Sequence, residues 1–281
     1  MSREGFWPIT SSVDWCESNY VHSHYIADIA MIILGEVGAR INPCNSFRFK
    51  LAFRLISIVG TGSFLFHGTL TSEMQALDEV PMVWTAITLL HPLIEINYGH
   101  PGKWFPVVQI ICAIICTLAV TIAKGTLQFI FFHLSFGLLE IALLFLMSRI
   151  YFKKRSSHPA VKYLFEQGVI IYAMGVAVWL IDMHFCDYLN GPFLPFNPQL
   201  HALWHILAST GLYFLVTLIL YNWHFKNGTK CRIEYRYGGI VPVIVKDYKR
   251  NHIVTKNKIL YRAASKILLS LEFGTGKISS L

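Results

Sequence analysis

Apolar runs of about 20 residues recur along the chain, separated by short polar stretches. At 1.5 Å of rise per residue, such a run matches a hydrocarbon core of about 30 Å. The pattern predicts helices near 25–38, 51–66, 80–98, 104–123, 126–148, 165–185 and 202–223. The first is the weakest, because YIADIAMIILGEVGA is short for a span and carries Asp28 and Glu36. The expected fold is therefore all-α: a polytopic, seven-transmembrane helix bundle with a shortened first helix. It divides into an N-terminal segment (1–24), the bundle (25–223) and a basic tail (224–281). The opening MSREGFWPITSS lacks the apolar core of about 7–15 residues that a cleavable signal requires, so the first hydrophobic helix is expected to direct insertion.

Composition agrees with this class. Only 14% of residues are charged, against about 25% in ordinary soluble domains. The net charge of +8 raises a nucleic-acid reading, but the basic residues sit beside the spans, so no nucleic-acid partner is expected. With the tail cytosolic, all of the 24 Lys and Arg residues except Arg3 and Lys124 fall on the cytosolic side. The positive-inside rule then places the N-terminus in the lumen or outside. The sequon Asn227-Gly228-Thr229 would be cytosolic and unused, and the tail beyond it shows no clear element. The six cysteines form no CxxC pair, which excludes a zinc ribbon; Cys112 and Cys116 read as small apolar packing residues.

Polar groups inside spans are costly and usually face an interior or a cavity. In QLHALWHIL, His201 and His205 share a helical face at i and i+4. Such a pair can hold one zinc ion, or can be packed and hydrogen-bonded without a metal. His67 ends the second span at the same membrane depth and supplies a third ligand, while Ser63 lies one turn before it on the same face. Asp78, with Glu79, precedes the third span; it reads equally as a general base for a metal-polarised water and as a helix cap. His91, His133 and His184 read as packing or loop residues, Asp182 and Asp187 as local partners or the mouth of a cavity, and Glu140 as hydrogen-bonded to a neighbouring helix.

Five motifs, DWCESNY (14–20), GSFLFHGTL (62–70), EMQALDEVPM (73–82), WLIDMHFC (179–186) and HALWHIL (201–207), resemble in order those of the alkaline ceramidases. These are seven-helix intramembrane amidases of a superfamily that includes the adiponectin receptors. The resemblance implies hydrolysis of the lipid ceramide to sphingosine and a fatty acid. It implies Zn²⁺ on His67, His201 and His205, with Ser63 and Asp78 assisting. It further implies an adjacent Ca²⁺ site from Asp14, the Trp15 carbonyl, Glu17, Asn19 and Asp28, a Cys16–Cys186 disulfide, and residence in endoplasmic reticulum or Golgi membranes. One departure stands out: after Asp28 the family continues through a polar turn of helix, whereas here YIAD runs directly into IAMIILGEVG. A zinc-containing receptor-like relative and a catalytically impaired isoform are the alternatives. The oligomeric state is not legible.

Overall fold

The computed structural model describes residues 6–17, 19–20, 22–42, 46–191, 194, 196–238 and 241–247. The chain divides into one compact unit over 1–245 and another over 246–281; all but two of the latter's residues lie outside the described set. Most of the basic tail, and Arg3, therefore carry no structural statement.

Seven long helices form the first unit: α1 (His22–Ile41), α2 (Phe47–Thr69), α3 (Ser72–Tyr98), α4 (Trp104–Ile122), α5 (Thr126–Lys154), α6 (Pro159–His184) and α8 (Leu200–Lys226). A single turn, α7 (Cys186–Leu189), lies between the last two. Five of them, α2, α4, α5, α6 and α8, are long and apolar enough to cross a membrane. Helices α2 and α8 are largely buried, whereas α4, α5 and α6 turn large side chains such as Ile114, Leu138 and Ile170 outward. In water those faces would be an unpaid apolar surface; in lipid they need no cover. The first helix is longer than its hydropathy predicts, 20 residues rather than the short 25–38 segment. Its polar side chains depress the apolar signal while its interior face, with Ala27, Asp28 and Met31, remains buried.

Close helix contact depends on glycine at two positions of α2. At Gly60, a Cβ would lie 2.9 Å from the Asp28 carbonyl of α1. At Gly62, it would lie 2.3 Å from the Leu77 carbonyl and 2.8 Å from the Asp78 amide of α3. Pro81, which has no N–H, cannot donate to that Leu77 carbonyl four residues earlier. The carbonyl is instead pressed against Gly62, which brings Asp78 in beside α2.

The tail differs from its expectation of having no element. Helix α8 runs to Lys226, and β1 (Cys231–Arg236) and β2 (Val241–Lys246) follow as a two-stranded sheet. Val243 and Ile244 are wholly buried. Tyr213 of α8 donates to the Pro242 carbonyl at 3.0 Å, and the Ile244 amide donates to Asn42 Oδ1 at 2.9 Å. The apolar, β-branched run VPVIV pays for its backbone through the sheet and buries its side chains on the bundle.

Candidate metal centre

One end of the bundle collects the end of α2, the starts of α3 and α8, the end of α6 and the N-terminal segment. Leu70 closes α2 in the left-handed region at φ 54°, leaving its carbonyl free to accept the amides of Thr10 and Ser11 at 3.0 and 3.1 Å. The segment then passes Gln75, which accepts from the Ser12 amide at 2.7 Å and donates to Glu79 at 2.7 Å. Cys16 is joined to Cys186 by a disulfide, and its carbonyl accepts from Asn190 at 2.7 Å. These ties hold Trp15 and Glu17 over the first turn of α8.

That first turn leaves amides without helical partners. Glu17 Oε1 accepts two of them, from His201 at 2.6 Å and Ala202 at 3.0 Å, and its negative charge suits the positive end of the helix. The Trp15 ring stacks on His201 with centroids 3.6 Å apart. His201 is thus oriented by residues far away in sequence.

His67, His201 and His205 are all buried, and each can offer a ring nitrogen within 4.8 Å of the other two. They are the sole group of three or more His, Cys, Asp or Glu so gathered among the described residues. His201 Nε2 and His205 Nε2 face one another at 3.0 Å. His67 Nε2 is buried with no hydrogen-bond partner. Ligand nitrogens about 2.0–2.1 Å from a tetrahedral ion would lie somewhat above 3 Å apart, so this donor set fits a metal. Asp28 Oδ1 lies 3.6 Å from His205 Nδ1, the place of a carboxylate that orients a ligand histidine from behind. Ser63, fully buried on α2, and Asp78, half-buried on α3, each carry a side-chain oxygen without a protein partner, Ser63 Oγ and Asp78 Oδ1.

Among the residues that the resemblance assigns to calcium, Asp28 keeps both buried carboxylate oxygens without a hydrogen-bond partner. Glu17 Oε1 serves α8, and its Oε2 lies 3.0 Å from His24 Nε2. Asp28 turns to His205, while the exposed Asp14 accepts from the Trp15 amide at 3.0 Å.

Sequence reasoning missed His24. It is buried, stacks on His67 with centroids 4.2 Å apart, and holds Glu17. Its i, i+4 spacing to Asp28 was the available signal. Among the other polar residues, Asp182 accepts the Cys16 amide at 3.3 Å, whereas Asp187 and His184 are exposed away from the centre. His91 pairs with Gln109 at 2.9 Å, and His133 packs its ring near Trp179.

A cavity of about 660 Å³ runs from His201, His205 and Asp78 into the bundle. Its deeper wall is apolar, with Leu143, Met147 and Leu215. A polar centre at the end of an apolar chamber suits a lipid with one reactive polar linkage.

Comparison with known proteins gives a consistent result. A family model described as Ceramidase matches residues 7–245. The chain is 29% identical over 279 residues to alkaline ceramidase 3 of Mus musculus, covering 90% of this chain and 98% of that protein. It is 28% identical to an alkaline ceramidase of Arabidopsis thaliana, covering 85% and 94% respectively. It is 30% identical to alkaline ceramidase YPC1 of Saccharomyces cerevisiae, covering 76% and 78%.

Proposed function

This chain belongs to the ceramidase family, and on that premise we propose that it hydrolyses the ceramide amide to sphingosine and a free fatty acid at a zinc ion held by His67, His201 and His205. It is an amide-cleaving hydrolase embedded in the membrane. The observation that carries the zinc reading is the meeting of three buried imidazoles at the polar end of an apolar cavity.

Zinc, when bound, supplies a Lewis acid that polarises a carbonyl and makes water a nucleophile near neutral pH. The protein's own groups do the rest. Ser63 Oγ, without a protein partner, donates a hydrogen bond to the amide oxygen as charge develops on it. Asp78 takes a proton from the attacking water and delivers it to the amide nitrogen as the C–N bond breaks. Glu17 and Trp15 fix His201, and Asp28 backs His205. The apolar wall holds the lipid chains and keeps bulk water out.

The wider reading is a bundle of seven spans, α1 and α3 included, in endoplasmic reticulum or Golgi membranes, with the N-terminus lumenal and the tail cytosolic. The one-sided distribution of Lys and Arg supports that orientation. The expected result is that purified protein carries about one zinc per chain and releases sphingosine from ceramide, and that His205→Ala loses both. Zinc-replete protein without turnover on any ceramide would favour an impaired isoform instead.

A further inference from the structure

Two consecutive acidic residues of α3, Asp78 and Glu79, line the cavity, and the chemistry above uses only the first. Glu79 is buried, with 6% exposure. Its Oε1 accepts from Gln75 Nε2 at 2.7 Å, and the same nitrogen donates to Ser12 Oγ at 2.6 Å. The carboxyl group is thus tied to the N-terminal segment through one oxygen. Its other oxygen, Oε2, is buried without a protein hydrogen-bond partner. Gln128, in the first turn of α5, lies beside Glu79, and its own Oε1 is likewise buried and unpartnered. Unmet acceptors on two neighbouring buried side chains are costly, and only a donor relieves them.

Amide hydrolysis generates such a donor. Water adds its oxygen to the amide carbon, and one of its protons reaches the nitrogen through Asp78 as the C–N bond breaks. That leaves a neutral amine and a carboxylic acid. The acid then gives its proton to the amine, so the products are a carboxylate and an ammonium. The ammonium brings three N–H donors and a positive charge, and an unpaired charge in an apolar chamber is expensive. Successive side chains on a helix diverge by about 100°, so Glu79 reaches the cavity beside Asp78 and leaves it free to serve the water.

We propose that Glu79, with Gln128 next to it, is the binding site for the ammonium group of the amine product. A carboxylate held by Gln75 needs no rearrangement to receive a cation, and the carbonyl oxygen of Gln128 accepts a second N–H. The inference rests on the ceramide reading above, which makes the ligand a sphingoid amine. Its consequence is that the product competes with substrate through its charge and not only through its chain.

The test uses full-length protein in lipid nanodiscs, turning over ceramide in the presence of one of two chain-matched competitors. One is sphingosine, at a pH where its amine is protonated; the other is the neutral triol with a hydroxyl in place of the amine. Sphingosine is expected to inhibit the wild type about tenfold more strongly than the triol. Glu79→Gln keeps the size and an oxygen for Gln75 but removes the charge. It should raise the inhibition constant of sphingosine about tenfold and leave that of the triol unchanged. Gln128→Met should move the sphingosine constant in the same direction by a smaller factor. Should a variant lose turnover, brominated forms of both ligands give the same two constants by quenching tryptophan, since Trp15, Trp179 and Trp204 line the cavity. Equal inhibition of the wild type by the two ligands, or a ratio unchanged in both variants, would overturn the inference alone. So would an equal loss for both ligands, which marks a structural tie and no more. No sphingosine release from any ceramide by the wild type would overturn the function and the inference with it.

Discussion

An imidazole buried in an apolar bundle must place two ring nitrogens, and His205 divides them between the histidine trio and a support. His205 turns Nε2 toward His201 and Nδ1 toward Asp28, which lies 3.6 Å away. Asp28→Asn keeps the size and removes the charge. Zinc affinity, measured by competition with a chromogenic chelator, is expected to fall about 10–100-fold; an unchanged affinity would remove Asp28 from the site's support. At this scale the sequence was informative where spacing carries meaning. His201 and His205 share a face by their i, i+4 separation, and the helix ends bring His67 to the same depth. His24 was missed because one histidine at a helix start looks like any polar end residue, and its i, i+4 spacing to Asp28 is a weak signal by itself. Its role appears only when Glu17 folds over it. Closely spaced oxygens in DWCESN suggest a calcium cage; what the spacing does not give is that Glu17 also serves the first turn of α8 and that Asp28 faces His205.

Elements place these residues, and the controlling contacts lie between helices. Hydropathy finds α2, α4, α5, α6 and α8, each of which holds an 18-residue window apolar enough to cross a membrane. It reads α1 as short and starts α3 at 80 rather than at Ser72, because the faces of both that build the centre are polar. The strand VPVIV was overlooked for a related reason: a short apolar run after a basic stretch has no periodicity to distinguish it, and only packing against Tyr213 and Asn42 defines it. The α2–α3 junction makes a prediction of its own. Gly62→Ala sets a methyl group 2.3 Å from the Leu77 carbonyl oxygen, a backbone atom that cannot rotate aside. The expected cost is about 1–3 kcal/mol in thermal unfolding, with loss of turnover as the Asp78 backbone is pushed away from α2. Zinc content should persist, since no ligand sits on α3. Wild-type stability and activity in this variant would contradict the proposed role of the close approach.

For the whole molecule, apolar faces point outward on α4, α5 and α6, and the polar centre is sealed at one end by the disulfide-tied N-terminal segment. Among the described residues, Arg48 at the start of α2 and Arg149 and Lys154 at the end of α5 lie at the opposite end. That asymmetry predicts an N-terminal tag protected from protease in sealed microsomes, a C-terminal tag that is cut, and Asn227 without glycan. The reverse pattern would invert the topology and move the metal centre to the cytosolic face. The central claim joins the histidine trio to amide hydrolysis, and metal reconstitution tests it most directly. Protein stripped with a chelator is predicted to release no sphingosine from ceramide and to regain full release on addition of about one zinc per chain. Undiminished release by the metal-free protein would contradict the account.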